Sequence, residues 1–200
     1  MAPSRARSRG GPTWPSQNVA RASPKDARDA VRAARAAFSS ADKLPQVLGG
    51  SNPVAGPYFT FTVPEPTGVV AVLAPPEPAL GGLVSRILPA LVGGNAVGAV
   101  ASEAHPLAAI ELAEALATSD LPGGVVNILT GFRDELAPWL AGHMDVNAID
   151  LTGADGASAE LERLAAENVK RVVRSTADAQ SPWEIEAFLE LKTVWHPIGL

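Results

Sequence analysis

From Gly68 onward, short apolar runs alternate with stretches of helical periodicity, and few folds accommodate that alternation. The runs Gly68–Ala74, Ala96–Val100, Val125–Leu129, Val146–Leu151 and Val169–Val173 have the length and near-continuous hydrophobicity of strands buried on both faces. Between them, helical patterns cover about 80–92, 106–118, 132–142 and 157–167. Strands of this kind separated by helices require a sheet covered on both sides, so the expected fold is α/β: a Rossmann-like, mostly parallel, doubly wound sheet over residues 64–175. Pro106 suits the first turn of its helix, whereas Pro89 and Pro138 fall inside helical patterns and are expected to kink or shorten them.

The flanks read differently. Ser23-Pro24, followed by Lys25-Asp26, has the form of a helix start, with Ser as cap, Pro at the first position and an acid in the first turn. Ala27, Ala30, Val31, Ala34 and Phe38 then mark one apolar stripe of a helix ending near Phe38. Residues 39–57 are broken by Pro and Gly and read as a connection, and Tyr58–Val63 alternates like a short edge strand. Beyond Arg174 the periodicity fades; a last helix is expected over about Glu184–Lys192, with Thr193–Leu200 as a turn-rich tail. The expected organisation is a basic, disordered tail (1–22), an N-terminal helix and connection (23–63), the α/β unit (64–175), and a C-terminal helix and tail (176–200).

Charge and sulfur content narrow the function classes. The whole chain carries a formal charge of −5, yet residues 1–35 hold eight basic and two acidic side chains. An Arg-rich, acid-poor start is compatible with an organelle-targeting segment; a solvated tail weighs more, and a cytoplasmic location is expected. No basic helix face with interleaved aromatics follows it, so nucleic acid is not an expected partner. No apolar run reaches the roughly 18 to 20 residues of a membrane-spanning helix, so no membrane is expected. The 200 residues include no cysteine, which excludes disulfides, thiolate metal sites and a cysteine nucleophile within this stretch. His105, His143 and His196 lie far apart without i, i+4 partners, and no metal site is expected. Glu111 and Glu114 read as solvated, and Trp139 and Trp195 as packing or interface residues.

In an open α/β sheet, ligands sit beyond the carboxyl ends of the strands, where helix N-termini offer free N–H groups. Three junctions qualify: Ala74–Pro78, Ala101–Pro106 and Leu151–Gly156. The last carries a Thr-Gly turn of the sort that cradles a pyrophosphate, although such a turn by itself is a weak signal.

Taken in order, five segments resemble the coenzyme-binding domain of the aldehyde dehydrogenase superfamily. They are Pro66-Thr67-Gly68-Val69-Val70, Pro89–Val97 (PALVGGNAV), Ser102-Glu103 with Pro106-Leu107, Leu121–Asn127 (LPGGVVN), and Leu151-Thr152-Gly153. The likeness covers about 64–175, with a weaker match for the helix near 24–38. It implies a family chemistry in which a cysteine thiolate attacks an aldehyde, an Asn amide stabilises the oxyanion, a Glu acts as base and NAD or NADP accepts hydride.

Against that pattern this chain has no thiol and places Pro75-Pro76-Glu77 where the family has Pro-Trp-Asn. It has Ser175-Thr176-Ala177-Asp178 near the family's Glu-Leu-Gly-Gly, so no catalytic residue is assigned. The family's Lys-Pro-Ser-Glu appears as Val100-Ala101-Ser102-Glu103, which removes a reader of a 2′-phosphate and favours NAD over NADP. Its phosphate turn appears as Gly153–Ser158 with Asp155 inside, and a like charge near phosphate costs about 1 kcal/mol in water and several times more in a dry cleft. Ser102, Glu103, Thr152 and Gly153 are therefore the expected coenzyme contacts, with binding of NAD or NADP weak or lost. The resemblance implies a second copy of this chain, or a full-length aldehyde dehydrogenase subunit, as partner. The link between Phe38 and Tyr58 is shorter than the family's and is expected to leave apolar surface uncovered.

Overall fold

The computed structural model describes residues 23–41, 43–44, 48–175 and 181–199. The expected basic tail at 1–22 lies outside them.

The alternation from Gly68 folds as its pattern predicts. Five strands, β3 (Val69–Leu73), β4 (Ala96–Val100), β5 (Val126–Leu129), β6 (Ala148–Asp150) and β7 (Arg171–Val173), form one parallel sheet in the order β5-β4-β3-β6-β7. Helices α2 (Ala79–Val92), α3 (Pro106–Ala117), α4 (Arg133–Gly142) and α5 (Ser158–Ala166) connect them. Alternate residues of β3 serve opposite layers. Val70 and Val72 pack with Leu83, Ile87 and Ala90 of α2, while Ala71 and Leu73 pack with Ala137 and Ala141 of α4 and Leu161 and Ala165 of α5. Burial on both sides explains why the strand is apolar throughout. Neither Pro89 nor Pro138 ends its helix.

The N-terminal helix α1 (Pro24–Ala41) begins as read, with the Asp26 N–H donating to Ser23 Oγ at 3.1 Å. Its buried face differs from the expected stripe. Ala30, Ala37 and Ser40 are buried, whereas Val31 and Phe38 are 53% and 61% exposed. Small side chains allow α1 to lie close along α2, where larger ones would hold the two helices apart. Asp26 clasps the two helices together, its carboxylate accepting the N–H groups of Leu80 (3.0 Å) and Gly81 (2.6 Å) in the first turn of α2. A Cβ on Gly81 would fall 2.7 Å from that carboxylate.

A second sheet, antiparallel in the order β1-β2-β8, joins the two ends of the described chain. It comprises β1 (Gly50–Asn52), β2 (Tyr58–Pro66) and β8 (Leu189–Pro197). This corrects three expectations. The connection contains a strand; β2 is central rather than an edge; and the last helix shrinks to α6 (Pro182–Glu186), followed by a nine-residue strand. The physical reason is long-range pairing, because β8 finds β2 from Tyr58↔Pro197 to Pro66↔Leu189, and that ladder outweighs a weak local helical preference. The sheet leaves Tyr58, Phe59, Leu191, Val194 and Trp195 exposed. Trp195 meets Tyr58 edge-on at 5.7 Å.

Buried Asn95 couples the two sheets. Its Oδ1 accepts the Gly68 N–H (2.8 Å), and its Nδ2 donates to the carbonyls of Ala90 (2.9 Å) and Phe188 (3.0 Å). Gly68 itself has φ +129° and lies against Asn147, whose Oδ1 accepts the Val69 N–H at 2.8 Å. Both the turn conformation and the close approach exclude a side chain there.

Candidate functional site

The chain adds β4 and β5 on one side of β3 and then returns to place β6 and β7 on the other. The point where strand order reverses is the gap between β3 and β6, and there an open α/β sheet has its ligand crevice. Ala74 lies beyond β3, Ser102 and Glu103 beyond β4, Arg133 beyond β5, Thr152 and Gly153 beyond β6, and Ser175 beyond β7. The carboxyl edge thus brings the four expected contact residues to the same end of the sheet.

Their individual environments are less alike. Ser102 is 2% exposed, and its Oγ has no hydrogen-bond partner among the described residues. Glu103 is exposed, and its carboxylate accepts the backbone N–H of Arg133, the first residue of α4, where the helix dipole favours an anion. Thr152 turns inward: its N–H (2.9 Å) and hydroxyl (2.5 Å) both donate to Asp150 Oδ1, and its Oγ1 accepts the Ser175 N–H at 3.0 Å. Gly153 is pressed onto the end of β3. Its N–H donates to the Leu73 carbonyl at 3.0 Å, and a Cβ would lie 2.6 Å from that same oxygen. The Asp155 side chain and residues 176–178 lie outside the described residues.

Below Thr152 is an ionic cluster that sequence reasoning did not single out. Buried Arg86 of α2 donates from Nε to Asp150 Oδ2 (2.6 Å) and from Nη1 to Glu184 Oε2 (2.7 Å), while Ser175 Oγ donates to Glu184 Oε1 (2.8 Å). Burial works against the Arg86 charge, but the two carboxylates outweigh it and hold its pKa above the ordinary guanidinium value. An Arg in the core-facing pattern of α2 and an Asp in an apolar strand were the available signals.

Glu77, at the junction beyond β3, is paired with His105 (Nε2–Oε1 2.7 Å). Among the described residues no group of three or more His, Asp or Glu side chains is arranged to hold a metal.

The second residue not anticipated is Arg133. Its Nη2 donates to the Ala74 carbonyl (2.6 Å) and its Nη1 to the Gly153 carbonyl, so one guanidinium bridges the ends of β3 and β6. The only signal for it in sequence was an Arg at the junction following β5.

Comparison with known proteins supplies the family. A profile described as "Aldehyde dehydrogenase family" matches residues 16–183. The chain belongs to the aldehyde dehydrogenase family.

It is 36% identical over 145 residues to the NADP/NAD-dependent aldehyde dehydrogenase PuuC of Escherichia coli, covering 72% of this chain and 29% of that one. It is 34% identical over 143 residues to aldehyde dehydrogenase, cytosolic 1, of Elephantulus edwardii, covering 71% and 28%. A betaine aldehyde dehydrogenase of Staphylococcus aureus, solved in complex with NAD+, superposes with a TM-score of 0.68 at 26% identity, covering 74% of this chain and 29% of that one. The five-stranded parallel sheet is accordingly the Rossmann-like coenzyme fold of this family. The chain spans less than a third of the length of the curated relatives it matches. No helix among the described residues is long and apolar enough to cross a membrane.

The family implies NAD or NADP, and the crevice geometry tests whether the residues fit it. Several of the polar groups at this crevice are engaged within the chain. Arg133 bridges the two strand ends, Glu103 is engaged by the N-terminus of α4, and the Thr152 hydroxyl faces the core.

Proposed function

We propose that this stretch of chain is a non-catalytic coenzyme-fold module of the aldehyde dehydrogenase family, whose part in aldehyde oxidation depends on a thiol supplied from outside it. The observation that carries the reading is a complete five-stranded coenzyme sheet in 200 residues that contain no thiol. The family's reaction forms a covalent bond from sulfur to the aldehyde carbon before hydride leaves, and these 200 residues hold no sulfur nucleophile to form it. Glu77 offers a carboxylate beside His105 where an amide donor would be needed, and an anion destabilises a developing oxyanion.

In this reading Ser102, Glu103, Thr152 and Gly153 mark the coenzyme crevice at the carboxyl edge, with affinity for NAD or NADP weak or lost. The partner is a second copy of this chain or a full-length aldehyde dehydrogenase subunit, and the compartment is the cytoplasm. A second reading, an interaction subunit that takes no coenzyme, is favoured by the guanidinium lying across the crevice. The test is an NADH-formation assay on the purified, folded chain with NAD and a short aliphatic aldehyde, paired with light scattering of the chain alone and mixed with a full-length relative. No turnover by the chain alone, together with a mixed or self-associated species, is the expected result. Sustained NADH production by the chain alone would overturn it.

A further inference from the structure

Three strand ends of the carboxyl edge converge on a single residue. The Arg133 backbone N–H is held by Glu103 beyond β4, while its guanidinium is held by the Ala74 carbonyl beyond β3 and the Gly153 carbonyl beyond β6. β3 and β6 flank the point where strand order reverses, so the guanidinium spans the mouth of the crevice. We propose that Arg133 is a built-in stopper: its side chain stands in the coenzyme crevice and keeps NAD out of this chain. The proposal rests on the coenzyme-module reading above and deepens it, by naming what closes the site.

A guanidinium in a phosphate-binding fold is open to the opposite reading, as a ligand for phosphate, but two observations favour the stopper. Both Nη atoms are already spent on backbone carbonyls, so greeting a phosphate requires giving up the bridge. Behind the bridge, Gly153 is packed so tightly on Leu73 and Ala74 that even one added carbon would collide with backbone, which fixes the spacing of the two carbonyls that the guanidinium joins. The Arg133 main-chain contact with Glu103 does not depend on its side chain, so truncation opens the mouth and leaves the start of α4 as it is.

The experiment is a calorimetric titration of NAD into the unaltered chain, Arg133→Ala and Arg133→Lys, each confirmed as folded by circular dichroism. Arg133→Ala should bind NAD at least tenfold more tightly than the unaltered chain. Arg133→Lys should fall between them, because an ammonium is a point donor that cannot bridge both carbonyls in the planar fork geometry. Should Arg133→Ala lose its fold, Arg133→Lys against the unaltered chain carries the comparison with the same sign. Equal affinities overturn the stopper and leave the coenzyme module standing. Weaker binding in Arg133→Ala overturns it by making Arg133 a phosphate ligand. No binding by any folded form overturns both the stopper and nucleotide binding by this module.

Discussion

The two sheets of this molecule are built on opposite terms. The parallel sheet is packed between helices, its central β3 strand wholly buried from Val70 to Leu73, and each strand is joined to the next by a helix. The antiparallel sheet takes β8 from more than a hundred residues beyond its partner β2, and β8 is exposed at every position after Leu189. Stability in the first comes from burial, worth about 1.5 to 3 kcal/mol for each large apolar side chain. In the second, main-chain pairing and cross-strand contacts contribute smaller amounts, about 0.2 to 1 kcal/mol per side-chain pair. Substitution should therefore be costly in one sheet and cheap in the other, and the residues linking them should behave like the first.

The sharpest way to break that contrast is at Arg86, which reaches from α2 to β6 and to α6 beside the second sheet. Arg86→Met strands two buried carboxylates, and urea unfolding should show a loss of about 3 to 5 kcal/mol. A loss below about 1 kcal/mol would mean that the cluster hydrates or takes up a proton at little cost. Next in size is Asn95→Ala, which deletes three hydrogen bonds from a buried amide and should lower stability by about 1 to 3 kcal/mol in the same assay. Asp26→Ala removes the clasp on the first turn of α2 and should cost about 1 kcal/mol, as loss of a helix cap does. Smallest is Trp195→Thr, at a position 59% exposed, where the unfolding midpoint should move by less than about 1 kcal/mol. A larger loss there would show that the second sheet is buried against another chain under the assay conditions.

The same contrast explains what the sequence made legible. All five strands and four helices of the parallel unit were readable because each is specified locally: an apolar run, a turn, a periodic stripe. The β2–β8 ladder was not, because Leu189–Pro197 carries no local mark of its partner, and Tyr58–Val63 looks the same whether it ends a sheet or sits in the middle of one. The α1 stripe misled for a related reason. Val31 and Phe38 recur at helical spacing, but the positions that the fold buries are Ala30, Ala37 and Ser40. At the site, the carboxyl-edge residues were found through motifs that mark backbone geometry, whereas Arg133 belongs to no motif. Its role emerges only when three junctions distant in sequence are brought within reach of one side chain.

Asn95 holds the Phe188 carbonyl, and the Thr67 N–H donates to that same oxygen at 3.2 Å. One end of the β2–β8 ladder is therefore moored to the interior, and the other runs out at the surface just past Tyr58 and Pro197, where the Ile198 N–H donates to the Pro57 carbonyl at 2.9 Å. The ladder resembles a zip sewn shut at its base: alignment is decided at Leu189, every later pair inherits it, and loosening starts from the free end. Amide exchange along β8 should accordingly quicken from Leu189 toward His196, a gradient that records which end the fold holds.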